Sequence, residues 1–251
     1  MSFSLDGKVA LVTGSSRGLG KGIALELAKA GARTVLNYFN QPESAHATLE
    51  EIRSAGGVAM LVRADASDPD QIAQMVDAAA DKFGPVDILV PNATPDQPQK
   101  PIEAYDAEFY QQMLDFFVLG PFHLAQAVVP GMKAAGWGRI INVTTSAYHA
   151  AFPDFSAYVA AKGGQIGWSR SLSVELAPHG ITVNTVAPGW IPTERHDHDP
   201  QAQKDAYFET IPAGRWGTPA DVGNAVRYFA SDEASFATGQ TLCLTGGLTP
   251  W

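Results

Sequence analysis

The feature that most constrains the fold is an alternation, kept from residue 8 to residue 244, between short apolar runs and longer amphipathic segments. The runs 8–13 (KVALVT), 33–38 (RTVLNY), 58–63, 86–90, 139–143, 181–186 and 240–244 are short, rich in β-branched residues and bounded by Gly, Pro or Asp. They read as strands. Helical periodicity occupies 18–30, 42–55, 69–83, 102–135, 156–177 and 219–230. Strands that are apolar along their whole length need cover on both faces, which a parallel sheet between two helix layers provides. Right-handed crossovers then leave a doubly wound α/β sheet of about seven strands, with helices on both faces. No linker, repeat or low-complexity stretch divides residues 1–251, so a single domain is expected.

Composition narrows the function classes. The formal net charge is −9, which opposes a general nucleic-acid surface while leaving room for one anionic ligand held by local groups. No run approaches the roughly 20 consecutive apolar residues of a membrane span. Residues 1–8 lack a secretory pattern, so the expected compartment is the cytoplasm, without membrane partners. The lone Cys243 supports neither a disulfide framework nor a cysteine metal cluster. His196 and His198 lie close together but lack further ligands at matching spacing, and no metal is expected. Two irregular stretches, 91–101 and 189–217, follow the carboxyl ends of strands, where open α/β sheets bind ligands. The second is long enough to act as a substrate lid.

Two motifs carry chemistry. Thr13-Gly14-Ser15-Ser16-Arg17-Gly18-Leu19-Gly20 lies between a strand and a helix. Glycines there permit a tight turn and a close backbone approach to a diphosphate, and the helix N-terminus offers unpaired N–H groups to it. Tyr158 and Lys162 stand four residues apart, so on a helix a phenol and an ammonium share one face.

Together these motifs resemble the classical short-chain dehydrogenase/reductase family, with its Rossmann-type fold, and the resemblance runs along nearly the whole chain. The glycine motif matches residues 13–20, and Asp65-Ala66 falls where the family places an adenine contact. Asn92-Ala93 matches the middle of the family's Asn-Asn-Ala-Gly element. Pro188-Gly189 through Ile191 and Thr193 match the nicotinamide-side segment. The resemblance implies that Tyr158 is the general acid in carbonyl reduction and the base in the reverse direction. Lys162 would lower the phenol's pKa and bind the nicotinamide ribose, and a hydroxyl would orient the reacting oxygen.

Three departures stand out. The usual serine thirteen residues before the tyrosine is Thr145, with Ser146 as the reserve candidate, turned away if strand alternation continues. Phe117 occupies the position of an asparagine that organises a water relay to the lysine. Pro91 and Thr94 replace the outer members of Asn-Asn-Ala-Gly.

NAD-specific members end the second strand with an acid that holds the ribose 2′-hydroxyl. Here the strand runs into Asn37-Tyr38-Phe39-Asn40 without one, and Arg17 offers a guanidinium suited to a 2′-phosphate. NADP(H) is the expected cofactor, with NAD(H) as the alternative. The expected activity is hydride transfer between the nicotinamide and a carbonyl or secondary alcohol. The resemblance is broadly to 3-oxoacyl-carrier-protein reductases, and it implies a homo-oligomer, a tetramer. Phe117 motivates a competing reading, a dinucleotide-binding protein with little or no turnover. A halohydrin-lyase-like descendant is opposed by Lys162 and the intact glycine turn. Aromatic residues at 148, 152, 155, 190, 207, 208 and 216 suggest an apolar or aromatic-bearing substrate.

Overall fold

Val, Ile and Leu dominate the segments that pair, and the pairs form one parallel sheet. The computed structural model describes residues 3–250. Its strands are β1 (Val9–Val12), β2 (Arg33–Tyr38), β3 (Val58–Arg63), β4 (Ile88–Val90), β5 (Gly138–Val143), β6 (Ile181–Pro188) and β7 (Thr241–Leu244). They lie in the order β3-β2-β1-β4-β5-β6-β7, every neighbouring pair parallel. The chain therefore winds outward one way from β1 and then the other way from β4. The carboxyl ends of β1 and β4 flank the switch point, the place where such sheets open a crevice.

Helices cover both faces. Helix α1 (Gly18–Lys29) buries Ile23 and Leu27 against Val222, Val226 and Phe229 of α9 (Pro219–Ala230), over one side of the sheet. On the other side, α3 (Pro69–Phe83) contributes Ile72 and Met75, α5 (Gly120–Ala135) Leu124 and Val128, and α7 (Ser156–Leu176) Leu176. Local sequence starts these helices. The Asp68 carboxylate accepts from the Asp70 and Gln71 amides ahead of α3, and Thr218 and Asp221 cap α9 reciprocally. Helix α2 (Pro42–Ser54) crosses between β2 and β3.

Three elements differ from the sequence expectation. The run 86–90 pairs only over Ile88–Val90, because the Asp87 carboxylate accepts the Val9 N–H at 2.8 Å. The expected helix 102–135 is broken into a 3₁₀ turn (Ile102–Ala104), α4 (Ala107–Leu114), a π-helical turn (Asp115–Leu119) and α5. Pro121 has no N–H to give the Phe117 carbonyl, and the Gly120 N–H reaches back to Asp115 instead. The stretch 189–217 contains a 3₁₀ turn (Glu194–His196) and α8 (Gln201–Glu209), which buries no residue and so shows no apolar periodicity. A four-residue helix, α6 (Ala147–Ala150), also escaped the sequence reading.

By length and composition alone, the helical stretch Ala107–Ala135 is apolar enough to cross a membrane. Its two halves pack against α7 and α3.

Candidate active site

A cleft of about 1600 Å³ opens over the carboxyl edge of the sheet, and the positions assigned above to cofactor or catalysis border it, except Thr13 and Ser15 of the glycine motif, which are buried behind it. Long-range contacts build its floor. Gly14 takes φ +61°, a conformation that favours glycine, and a Cβ there would strike the Ala93 backbone. A Cβ on Gly20 would collide with the Gly14 carbonyl and Asn92 Nδ2, so only glycine lets α1 start this close to β1. Asn92 Nδ2 donates to the Thr13 and Gly14 carbonyls at 2.9 and 3.1 Å, and Thr13 Oγ1 accepts from the Asn92 and Ala93 amides.

The cradle receives an anion. The Gly18 N–H, at the N-terminus of α1, donates to the Glu194 carboxylate of the lid at 3.2 Å. A diphosphate would present the same charge and acceptor type to that helix end, so the turn suits a dinucleotide. Arg17 is exposed beside it, extended ahead of α1 and bordering the cleft.

Asn37, expected from the sequence to contact the cofactor, borders the cleft. Its amide is 2% exposed and engaged within the protein: Oδ1 accepts from Gly14 N–H at 3.1 Å and Nδ2 donates to the Ala64 carbonyl at 2.9 Å. It is a brace for the glycine turn, joining the ends of β2 and β3, with little left for a ligand. Asp65 likewise turns one carboxylate oxygen inward, accepting from the Ser67 amide and hydroxyl at 2.9 and 2.6 Å.

The tyrosine and lysine project from α7 beneath the cleft. Tyr158 lies between the rings of Phe155 and Phe117, at centroid distances of 4.7 and 5.3 Å. The Thr145 side chain acts on the phenol, drawing its pKa down, and Ala147 N–H donates to Thr145 Oγ1 at 3.1 Å. Thr144 and Ser146 are buried, whereas Thr145 is half-buried at the cleft. Thr145 is thus the least buried of the three, although Ser146 also borders the cleft.

Electrostatics depart from expectation. Burial pushes the Tyr158 phenol up to about 12, against the pull of the Thr145 hydrogen bond and the Arg195 charge. Burial also pushes Lys162 down to about 7. The cation lowering the phenol in the protein alone is Arg195 rather than Lys162. Desolvation costs Lys162 part of the charge the motif ascribes to it. Its amine donates to the Val143 carbonyl at 2.8 Å and sits 3.9 Å from the Phe117 ring centroid.

The stretch 189–217 borders the far side of the cleft. Arg195 Nη2 donates to the Pro95 carbonyl and Gln97 Oε1 at 3.0 and 2.8 Å, tying 189–217 to 91–101. Thr193 and His196 form a capping pair, with His196 Nδ1 accepting the Thr193 N–H at 3.1 Å. Of the aromatic residues named above, Phe152, Phe155, Trp190 and Tyr207 border the cleft. Trp216 stacks on Tyr207 and tilts against Phe208, within the lid.

Comparison with known proteins decides the family. A family model described as enoyl-(acyl carrier protein) reductase matches residues 14–249. A 3-oxoacyl-[acyl-carrier-protein] reductase from Staphylococcus epidermidis is 37% identical over 241 residues, 96% of this chain and 98% of the relative. One from Synechocystis is 38% identical over 248 residues, 98% of each chain. The chain belongs to the short-chain dehydrogenase/reductase family.

Solved members of the family superpose throughout. A gluconate 5-dehydrogenase from Burkholderia cenocepacia, in complex with NADP and tartrate, gives a TM-score of 0.90 at 35% identity, covering 98% of this chain and 97% of that one. A hydroxysteroid dehydrogenase from Escherichia coli gives 0.88 at 32% identity, covering 99% and 98%. This family member is an oxidoreductase of C=O and CH–OH groups that uses a nicotinamide dinucleotide.

Sequence reasoning missed two contributors, Glu194 at the helix terminus and Gln165 beneath Lys162. The second had a signal. Gln165 is a polar residue one turn beyond Lys162, among Ala161 and Ile166 on the buried side of α7.

Proposed function

We propose that the chain is an NADP(H)-dependent carbonyl reductase or secondary-alcohol dehydrogenase in which Tyr158 transfers the proton. In this reading the whole chain is one catalytic domain with a substrate lid at 189–217. The observation that carries it is that Thr145, Tyr158 and Lys162 border one cleft, the last two a helical turn apart on α7. When bound, the reduced nicotinamide supplies the hydride.

The chain's own groups do the rest. Thr145 borders the cleft beside the phenol, placed to donate its hydroxyl to a substrate carbonyl, so that Tyr158 can deliver its proton as charge develops on that oxygen. A phenol held near 12 stays protonated at neutral pH, which suits reduction. Lys162 faces the cleft floor with an amine free to meet ribose hydroxyls. Phe152, Phe155, Trp190 and Tyr207 favour a substrate with an apolar or aromatic body.

Arg17 beside the α1 terminus, and amides rather than acids at Asn40 and Gln41, favour a 2′-phosphate over a free 2′-hydroxyl. The solved gluconate 5-dehydrogenase complexed with NADP adds support. A cytoplasmic location and a homo-oligomeric state complete the reading.

One observation favours the rival, a dinucleotide-binding protein with little turnover. The Phe117 ring seals the side of Lys162 from which a relay would come.

The deciding experiment is a series on NADPH oxidation with ketones, aldehydes and acyl thioesters. Tyr158→Phe lowers turnover by about a hundredfold or more while NADPH binding persists. Thr145→Val lowers it at least about tenfold, and Ser146→Ala much less. Full activity in Tyr158→Phe sinks the mechanism, and tight NADPH binding without turnover in wild type favours the rival.

A further inference from the structure

Beneath the Lys162 amine lies a buried polar chain with no part in the reading so far. Lys162 Nζ donates to Gln165 Oε1 at 3.0 Å, and Gln165 Nε2 donates to Asn142 Oδ1 at 3.1 Å. Asn142 Nδ2 donates to Ser169 Oγ at 2.9 Å, and Ser169 Oγ returns a hydrogen bond to the Gln165 carbonyl at 2.7 Å. Asn142, Gln165 and Ser169 are each at most 1% exposed. Lys162, Gln165 and Ser169 follow one face of α7, and Asn142 comes from β5, so helix and sheet both hold the chain in place.

A buried amide is costly unless its polar atoms are matched, and a matched network is rigid. Here the group that receives this rigidity is the lysine amine. Besides the cleft, the amine meets the Phe117 ring face, and Lys162 borders a void of about 10 Å³ lined also by Thr13, Asn92, Phe117 and Gln165. Such a void holds one water at most.

We propose that Gln165 is a positioning residue for Lys162: its amide oxygen, locked by Asn142 and Ser169, aims the amine at the cleft and stabilises its charged form. The π-helical turn, which presents Phe117, contributes no hydrogen-bonding side chain to this task. The other titratable and charged groups are few. Tyr158 shares α7, and Arg195 of the lid acts on the Tyr158 phenol. Asp65 and Asp115 border the cleft, yet no carboxylate pairs with Lys162 among the described residues, and its depressed pKa has burial as its cause. β5 presents Asn142 and the Val143 carbonyl.

The catalytic meaning of this inference rests on the role proposed above for Lys162, but its test needs no substrate. The full-length protein carrying ¹³C-labelled lysine is titrated by NMR, the Lys162 signal being the one lost in Lys162→Arg. In Gln165→Met, close in shape but without the acceptor, the midpoint falls by about one to two pH units, the worth of a hydrogen bond to a charged group. In Gln165→Glu the acceptor returns with a negative charge, and the midpoint rises above wild type. An unchanged midpoint in folded Gln165→Met, checked by thermal melting, overturns the proposal. Should that variant not fold, Gln165→Glu decides alone: a raised midpoint supports the assignment and an unmoved one overturns it. Failure of the Tyr158 series would sink the reaction assignment and leave this titration untouched.

Discussion

Phe117 and Gln165 show how one departure from a family pattern is met by another residue far away in the chain. A phenylalanine at 117 cannot accept from an ammonium, yet Lys162 is not left without oxygen acceptors, because Val143 and Gln165 supply two. Arg17 is the other residue whose role depends on context. Its guanidinium is exposed beside the α1 terminus, and no carboxylate follows β2 to repel a 2′-phosphate. Wild type therefore binds NADPH more tightly than NADH, and Arg17→Ala narrows the gap by weakening NADPH alone. Fluorescence titration of both cofactors against both proteins checks this; equal binding by wild type overturns it.

Among the elements, α9 has the clearest pH signature. The Asp221 carboxylate is held well below the usual carboxylate range, first by hydrogen bonds from Arg215 at 2.8 and 3.0 Å, then by the Thr218 amide and hydroxyl. A carboxyl with a depressed folded pKa adds stability above its unfolded value of about 3.9 and loses it as pH falls below. Asp221→Asn is thus less stable than wild type at pH 7, and the difference shrinks on acidification through pH 4. Melting temperatures of both proteins across pH 3–8 test this; a constant difference would mean that packing, not the charged cap, is responsible. The π-helical turn belongs to this scale too. It follows from Pro121, visible in the sequence, but its consequence, a Phe117 ring packed on Lys162, requires α7 alongside.

At the scale of the whole molecule, several large apolar residues remain exposed. Among them, Leu119 of the π-helical turn, Phe122 of α5 and Val174 of α7 lie uncovered, as do Phe236 and Leu242 near β7. Exposed apolar residues grouped in this way mark association surfaces. If these surfaces pair copies of the chain as the family resemblance implies, the expected outcome is a light-scattering mass of four chains at micromolar concentration. A monomer under those conditions refutes this, as would an Asp substituted at Val174 that leaves the assembly intact.

The sequence by itself determined the sheet, because fully apolar strands separated by amphipathic helices bury both faces in one way only. It also determined which residues border the cleft, since turn glycines, a phenol and an amine at helical spacing, and a strand-end proline each carry a local signature. The tertiary structure decided what those residues do to one another. Asn37 reads as a ligand contact in its strand, but β1 and β3 on either side consume its amide. Lys162 reads as a cation that lowers the phenol, but burial pushes its own pKa down to about 7, and Arg195, distant in sequence, also draws the phenol down. Gln165 and Glu194 have no motif at all. Hydrogen bonds between distant segments and the loss of water around a charge have no period along the chain, so they become visible only once the chain has closed on itself.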